Sequence, residues 1–158
     1  MKYLKLFENF NNPEIGEINP EDKEIIMDLV ATIFSGMTEM SYDECVEYME
    51  ETADLEKSVK LTLNGKIIGC YIIADKDLEE YPDKKGIEGI ALCILPEYRG
   101  HGYGEMLKDW LENYAEANNY DFIFGQHLKS LNNLEPWLKR RELFKEDEDS
   151  FYTIKWIK

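Results

Sequence analysis

Leu92-Cys93-Ile94-Leu95-Pro96-Glu97-Tyr98-Arg99-Gly100-His101-Gly102-Tyr103-Gly104-Glu105-Met106-Leu107 reads as a strand, a glycine-rich turn and the start of a helix. Ile90, Leu92 and Ile94 alternate with smaller residues and stop at Pro96, which cannot donate to a sheet ladder. Gly100, Gly102 and Gly104 follow, and then Met106, Leu107, Trp110, Leu111 and Tyr114 recur at helical spacing. Glycines at a strand-to-helix turn leave main-chain N–H groups free to point outward, and the helix N-terminus adds partial positive charge. Such a turn holds phosphate without needing a basic side chain.

The spacing separates this turn from two common phosphate binders. A dinucleotide fold uses G-x-G-x-x-G, whereas the glycines here run G-x-G-x-G; a P-loop ends Gly-Lys-Ser/Thr, whereas Gly104 precedes Glu105. What fits is Arg/Gln-x-x-Gly-x-Gly/Ala, met by Arg99, Gly102 and Gly104. With Pro96-Glu97-Tyr98 before it and an amphipathic helix after it, the stretch closely resembles the pyrophosphate-binding motif of the GNAT N-acetyltransferase superfamily.

Around this stretch lies one domain's worth of chain, 158 residues, long enough to bury a sizeable core. No run of eighteen apolar residues implies a membrane span, and the first residues carry no long apolar region of the secretory kind. Cys45, Cys70 and Cys93 are an odd number at spacings that suggest neither a disulfide framework nor a metal site, so a reducing cytoplasmic setting is expected. The net charge of -15 argues against nucleic acid and anionic membrane surfaces as partners. It is compatible with cationic small molecules, with basic protein segments, or simply with a solvated acidic surface.

Residues 1–13 read as an N-terminal extension packed on a domain spanning 14–158. Glu14 to Asn19 reads as a short strand. Asn19-Pro20-Glu21-Asp22 starts a helix that Gly36 ends, and Ser41-Tyr42-Asp43-Glu44 is a capping box for a second. Asn64-Gly65 joins strands 58–63 and 66–74 as a hairpin. Strand 86–95, the helix to about Asn118 and a buried strand around Phe122-Ile123-Phe124 come next. A further helix is expected to begin at Leu131-Asn132-Asn133-Leu134-Glu135-Pro136 and to run through Trp137, Leu138 and Leu143. Glu146-Asp147-Glu148-Asp149 is a charged turn before a last strand, 151–157. Trp110, Trp137 and Trp156 read as packing residues.

This order is α/β, and the resemblance implies a single GNAT-like domain. Its mixed central sheet, flanked by helices, would contain two parallel strands, 86–95 and 121–126, that splay apart. It implies that acetyl-CoA lies in the splay, with main-chain groups of Leu92, Cys93 and Ile94 against the pantetheine. The turn of Arg99, Gly100, His101, Gly102, Tyr103 and Gly104 would hold the pyrophosphate, and Asn132 or Asn133 would also touch the cosubstrate. No metal is implied, and a monomer or homodimer is expected.

The chemistry adds its own demands. A primary ammonium has a pKa of about 10.4 and attacks only after losing a proton. A thioester oxygen gaining charge needs a donor, and the leaving thiolate needs its charge met. The Ile94 N–H is expected as the oxyanion donor. Glu88, on the expected face of Ile90, Leu92 and Ile94, is one candidate base, and His127 is the other. The family's proton donor, a tyrosine in the helix after the fifth strand, is missing: alignment of Arg141-Glu142-Leu143 with the family's Leu-Gly-Phe puts Leu138 in its place. Tyr103, Tyr152 or water would have to substitute. The family also puts the N-terminal helices and the last loop around the acceptor, and in this chain these are acidic, with eight acids and no base from Glu39 to Glu56. Two functions are implied: acetyl transfer to a primary amine of a cationic acceptor, a small molecule or a basic protein segment, by direct attack in a ternary complex, or a catalytically weak acyl-CoA-binding or acidic protein-interaction module.

Overall fold

The computed structural model describes residues 12–131 and 134–157. The expectation for residues 1–13 falls almost wholly outside these, as does that for Asn132. Strand β1 (Glu14–Glu17) leads through a 3₁₀ turn at Pro20–Asp22 into helix α1 (Lys23–Met37). The Asn19 N–H donates to Asp22 Oδ2 at 2.9 Å, so the expected start signal works, although a 3₁₀ turn precedes the α-helix proper. Helix α2 (Tyr42–Thr52) opens on the Ser41 capping box: the Glu44 N–H donates to Ser41 Oγ at 3.1 Å, and the Ser41 N–H to Glu44 Oε2 at 2.7 Å.

Strands β2 (Val59–Leu63) and β3 (Lys66–Lys76) form the expected hairpin, with Asn64 and Gly65 at φ 54° and 79°. Strand β4 (Gly86–Ile94), a 3₁₀ turn at Pro96–Tyr98 and helix α3 (Tyr103–Ala117) follow, then β5 (Phe122–Leu128). The long helix expected through Leu143 is replaced by one turn, α4 (Glu135–Leu138), and a strand, β6 (Glu142–Glu146), which pairs with β7 (Ser150–Trp156). Only Phe144 of β6 packs inward, while Leu143 is exposed. An edge strand of this kind lacks the alternation that would betray it in sequence.

The seven strands stand in the order β1-β2-β3-β4-β5-β7-β6. All neighbours are antiparallel except β4 and β5, whose parallel pairing covers only Gly86↔Phe122 to Gly89↔Gly125. Beyond that point the two strands separate. Helices α1 and α2 cover one face, with Ile26, Leu29, Val30 and Met49 against Cys70, Ile72, Ala91 and Cys93. Helix α3 covers the other, with Leu107, Leu111 and Ala115 against Tyr71, Ile73, Ile87 and Ile123.

Strand β4 breaks its alternation in the middle. Ile72 pairs with Ala91 and Ile73 with Gly89, so Ile90 is an extra residue without a partner. This bulge reverses the facing of the residues beyond it. Glu88, Ile90 and Ala91 turn to the α1–α2 side, whereas Leu92 and Ile94 turn to the α3 side. The single face expected for Glu88, Ile90, Leu92 and Ile94 is therefore divided in two.

Candidate active site

The turn after β4 has the form its glycines demand. Gly100 and Gly102 sit at φ 84° and 82°, in the left-handed region where a Cβ is strained. Gly102 is the residue from which α3 departs, so the amides of Tyr103, Gly104 and Glu105 have no intrahelical acceptor. Among the described residues nothing accepts from the amides of Gly100 to Gly104. His101 stacks on Tyr103, with ring centroids 5.7 Å apart. Arg99 turns back and donates from Nε to the Ile94 carbonyl at 3.0 Å, tying the turn to the strand end. An array of outward amides at a helix N-terminus fits a diphosphate.

The turn opens on a cleft of about 590 Å³. Leu92, Cys93, Ile94, Lys108, Leu131 and Pro136 line it, and Ile33, Phe34 and Met37 of α1 close one side. The Leu95 N–H donates to the Ile68 carbonyl at 2.8 Å. Bonded pairs alternate along an antiparallel ladder, so Cys93 spends its main-chain groups on Cys70, while Leu92 and Ile94 turn theirs away from β3 into the gap. The main-chain part expected of Cys93 thus falls away. Its thiol is buried next to Cys70, whose own thiol is pushed up by its hydrogen bond to Cys93 and by burial.

A second cavity, of about 200 Å³, lies on the α1–α2 side of the gap and shares Phe34 with the first. Its walls are Val30, Phe34, Met40, Cys45, Met49, Ile90 and Ala91, with Tyr48 and Thr38 at the side. Among the described residues Glu88 is its one charged residue, and Gln126 adds an amide. Burial pushes the Glu88 carboxyl above the ordinary value, and Lys76, 3.9 Å away, only partly opposes this. The acids of α2 are elsewhere: Asp43, Glu44, Glu47, Glu50 and Glu51 all stand on its exposed face.

The two candidate bases are on opposite sides of the sheet. His127 lies on the α3 side, buried, with Nε2 2.9 Å from Thr153 Oγ1. Burial, followed by the charges of Arg141 and Lys108, lowers its pKa to about 4. Leu138, in the place of the missing tyrosine, is exposed. Tyr152 is committed to Asp147, donating at 2.7 Å. Sequence reasoning passed over the surroundings of Trp137: Lys108 and Arg141 both lie against its ring, at 4.3 and 4.4 Å. In Lys139-Arg140-Arg141 nothing distinguishes the inward arginine from the outward one. Arg140 pairs with Glu105, Asp109 and Glu112 along α3, at 2.8, 2.7 and 3.0 Å.

Solved structures share this architecture. The structure of the NatC complex bound to Gag peptide and CoA aligns with a TM-score of 0.72 at 15% identity, covering 93% of this chain and 99% of that one. N-acetylglutamate synthase from Neisseria gonorrhoeae, complexed with coenzyme A and N-acetyl-glutamate, aligns with a TM-score of 0.69 at 18% identity, covering 93% of this chain and 35% of that one. Arabidopsis thaliana Naa50, in complex with the bisubstrate analogue CoA-Ac-MVNAL, gives 0.67 at 13% identity, covering 90% and 97%. At these identities the likeness is one of fold. No curated protein sequence is significantly similar to the chain. The model of the acetyltransferase (GNAT) family matches residues 24–152, most of the chain, and the protein therefore belongs to that family of acetyl-CoA-dependent N-acetyltransferases.

Proposed function

We propose that the protein acetylates a primary amine that carries an apolar arm, by direct attack within a ternary complex, with Glu88 as the base. The observation that carries this reading is a carboxylate, single among the described residues, in a largely apolar cavity adjoining the cleft beneath the glycine turn. Acetyl-CoA supplies an activated thioester. The turn amides from Gly100 to Gly104 hold its diphosphate, and the main-chain groups of Leu92 and the N–H of Ile94 align its arm. In the second cavity Glu88 attracts the ammonium and takes its proton, directly or through one water, while Phe34, Met40 and Met49 receive the arm. A carboxyl with a raised pKa is a stronger base than an ordinary one. His127, across the sheet and weakly basic, does not serve this role.

Distance selects the oxyanion donor. At about 3.3 Å per residue, Ile94 is some 20 Å along the strand from Glu88 and Leu92 some 13 Å. The span of a glutamate side chain, a water and an amine matches the shorter figure. The Leu92 N–H is thus the donor on this reading, and the Ile94 N–H serves the arm.

Incubation with acetyl-CoA and a panel of amines, following free thiol and product mass, tests the reading. Peptide α-amines and alkylamines with leucine-sized apolar groups are expected to react best, ahead of polyamines and amino sugars. Equal or better turnover of the polyamines would overturn the acceptor assignment. Stabilisation by acetyl-CoA without thiol release for any amine would favour a binding module instead.

A further inference from the structure

Where β4 and β5 part, the last paired residues are both glycines, Gly89 and Gly125. Each leaves room for a polar group on the α3 side. A Cβ on Gly89 would collide with Tyr71 Oη, and one on Gly125 with an Arg141 guanidinium nitrogen. Arg141 donates from Nη2 to Tyr71 Oη at 3.2 Å, so the guanidinium spans the base of the gap. It is 9% exposed, yet no carboxylate pairs with it among the described residues. Its other N–H groups find no acceptor among the described residues. Lys108, 8% exposed, lines the acyl-donor cleft from the other side of the same cluster and shares the Trp137 ring with Arg141. A buried guanidinium that no acid pairs with among the described residues, in a chain of net charge -15, marks a place where negative charge is to arrive.

We propose that Lys108 and Arg141, held on Trp137 beside the base of the gap, receive the thiolate that leaves during transfer, so that cationic stabilisation replaces the proton a tyrosine would donate. The step balances without another reactant. The ammonium first gives one proton to the base, which passes it to solvent; the nitrogen–carbon bond then forms, the carbon–sulfur bond breaks with its electron pair leaving on sulfur, and the second proton on nitrogen goes to the same base. The thiolate takes a proton from water after release. The groups facing the pair are Tyr71 from β3, His127 from β5, Glu105 and Glu112 from α3, and Arg140 from the turn after α4. Neutral His127 adds no competing charge. Glu105 is shared with Arg140 and is exposed, so water screens it. The inference rests on acetyl transfer itself and is independent of which amine accepts and which group is the base.

Binding of free CoA and of desulfo-CoA, which lacks the thiol, measured from pH 6 to 9.5, tests this without turnover. The wild-type protein is expected to bind CoA at least tenfold more tightly at the alkaline end, relative to desulfo-CoA, as the bound thiol ionises. Lys108→Met and Arg141→Gln are each expected to remove most of that difference, read as the ratio of CoA to desulfo-CoA affinity within each variant. The desulfo-CoA measurement also reports that each variant has folded, and should Arg141→Gln fail there, Lys108→Met decides alone. Parallel pH profiles for the two ligands in the wild-type protein, or an unchanged difference in Lys108→Met, would overturn the inference.

Discussion

Glu88 has a role only because its neighbours are apolar. Burial favours the uncharged acid, so the carboxyl ionises above its ordinary value of 4.5. On the proposed reading the base is lost as pH falls through that raised value, and kcat/KM should decline on the acid side at a pH above 4.5. Glu88→Gln should lower kcat/KM about 10²–10⁴-fold and abolish this acid limb; a variant that retains the limb would assign it to another group. His127 offers the opposite case. Its folded pKa of about 4 lies below the ordinary 6.5, so between these values the unfolded chain binds the extra proton. Stability therefore falls as pH drops from about 6.5 to 4, by up to about 3 kcal/mol from this group. His127→Gln should flatten that part of a melting-temperature profile, and an unchanged slope would show that the histidine already titrates normally when folded.

At the scale of elements, much was legible and the failures have physical causes. Asn64-Gly65, the Ser41–Glu44 box and the glycine turn are local devices: a few adjacent residues set the backbone by their own sterics and hydrogen bonds, so reading them needs no knowledge of the rest. The β4 bulge depends on β3, where Ile72 and Ile73 skip Ile90, and no pattern within β4 records it. That skip misdirected the expected faces of Leu92 and Ile94. Strand β6 was hidden for the converse reason, since an edge strand with one inward residue carries almost no periodic signal. Arg141 was hidden because burial of a cation is decided by Gly125 and Tyr71, which lie far from it in sequence, and by the local turn that brings Trp137 against it. Arg140, beside it, clamps α4 to three acids of α3. Arg140→Ala should destabilise the fold by about 1–2 kcal/mol, which is roughly 2–8 °C in melting temperature for a chain of this size. A double-mutant cycle with Glu112→Ala would show coupling if the clamp is real, and strict additivity would dismiss it.

For the whole molecule, the surplus of acids is a surface property. The α2 carboxylates face solvent, and the second cavity holds a single one. A monoamine acceptor therefore meets one specific charge and a diffuse field that salt screens over about 8 Å at physiological ionic strength. Its KM should change less than about threefold between 50 and 500 mM salt, as screening of long-range terms predicts. A steeper rise would return the acidic surface to the acceptor site and favour a polycationic substrate.

The short parallel pairing of β4 with β5 has a mechanical corollary. The sheet amounts to two leaves, β1–β4 and β5–β7–β6, riveted along one seam of four residue pairs. Whatever enters from the open end wedges between them and sets their angle. Amide exchange along Phe122–Gly125 should accordingly slow once that wedge is in place, although those amides never touch it.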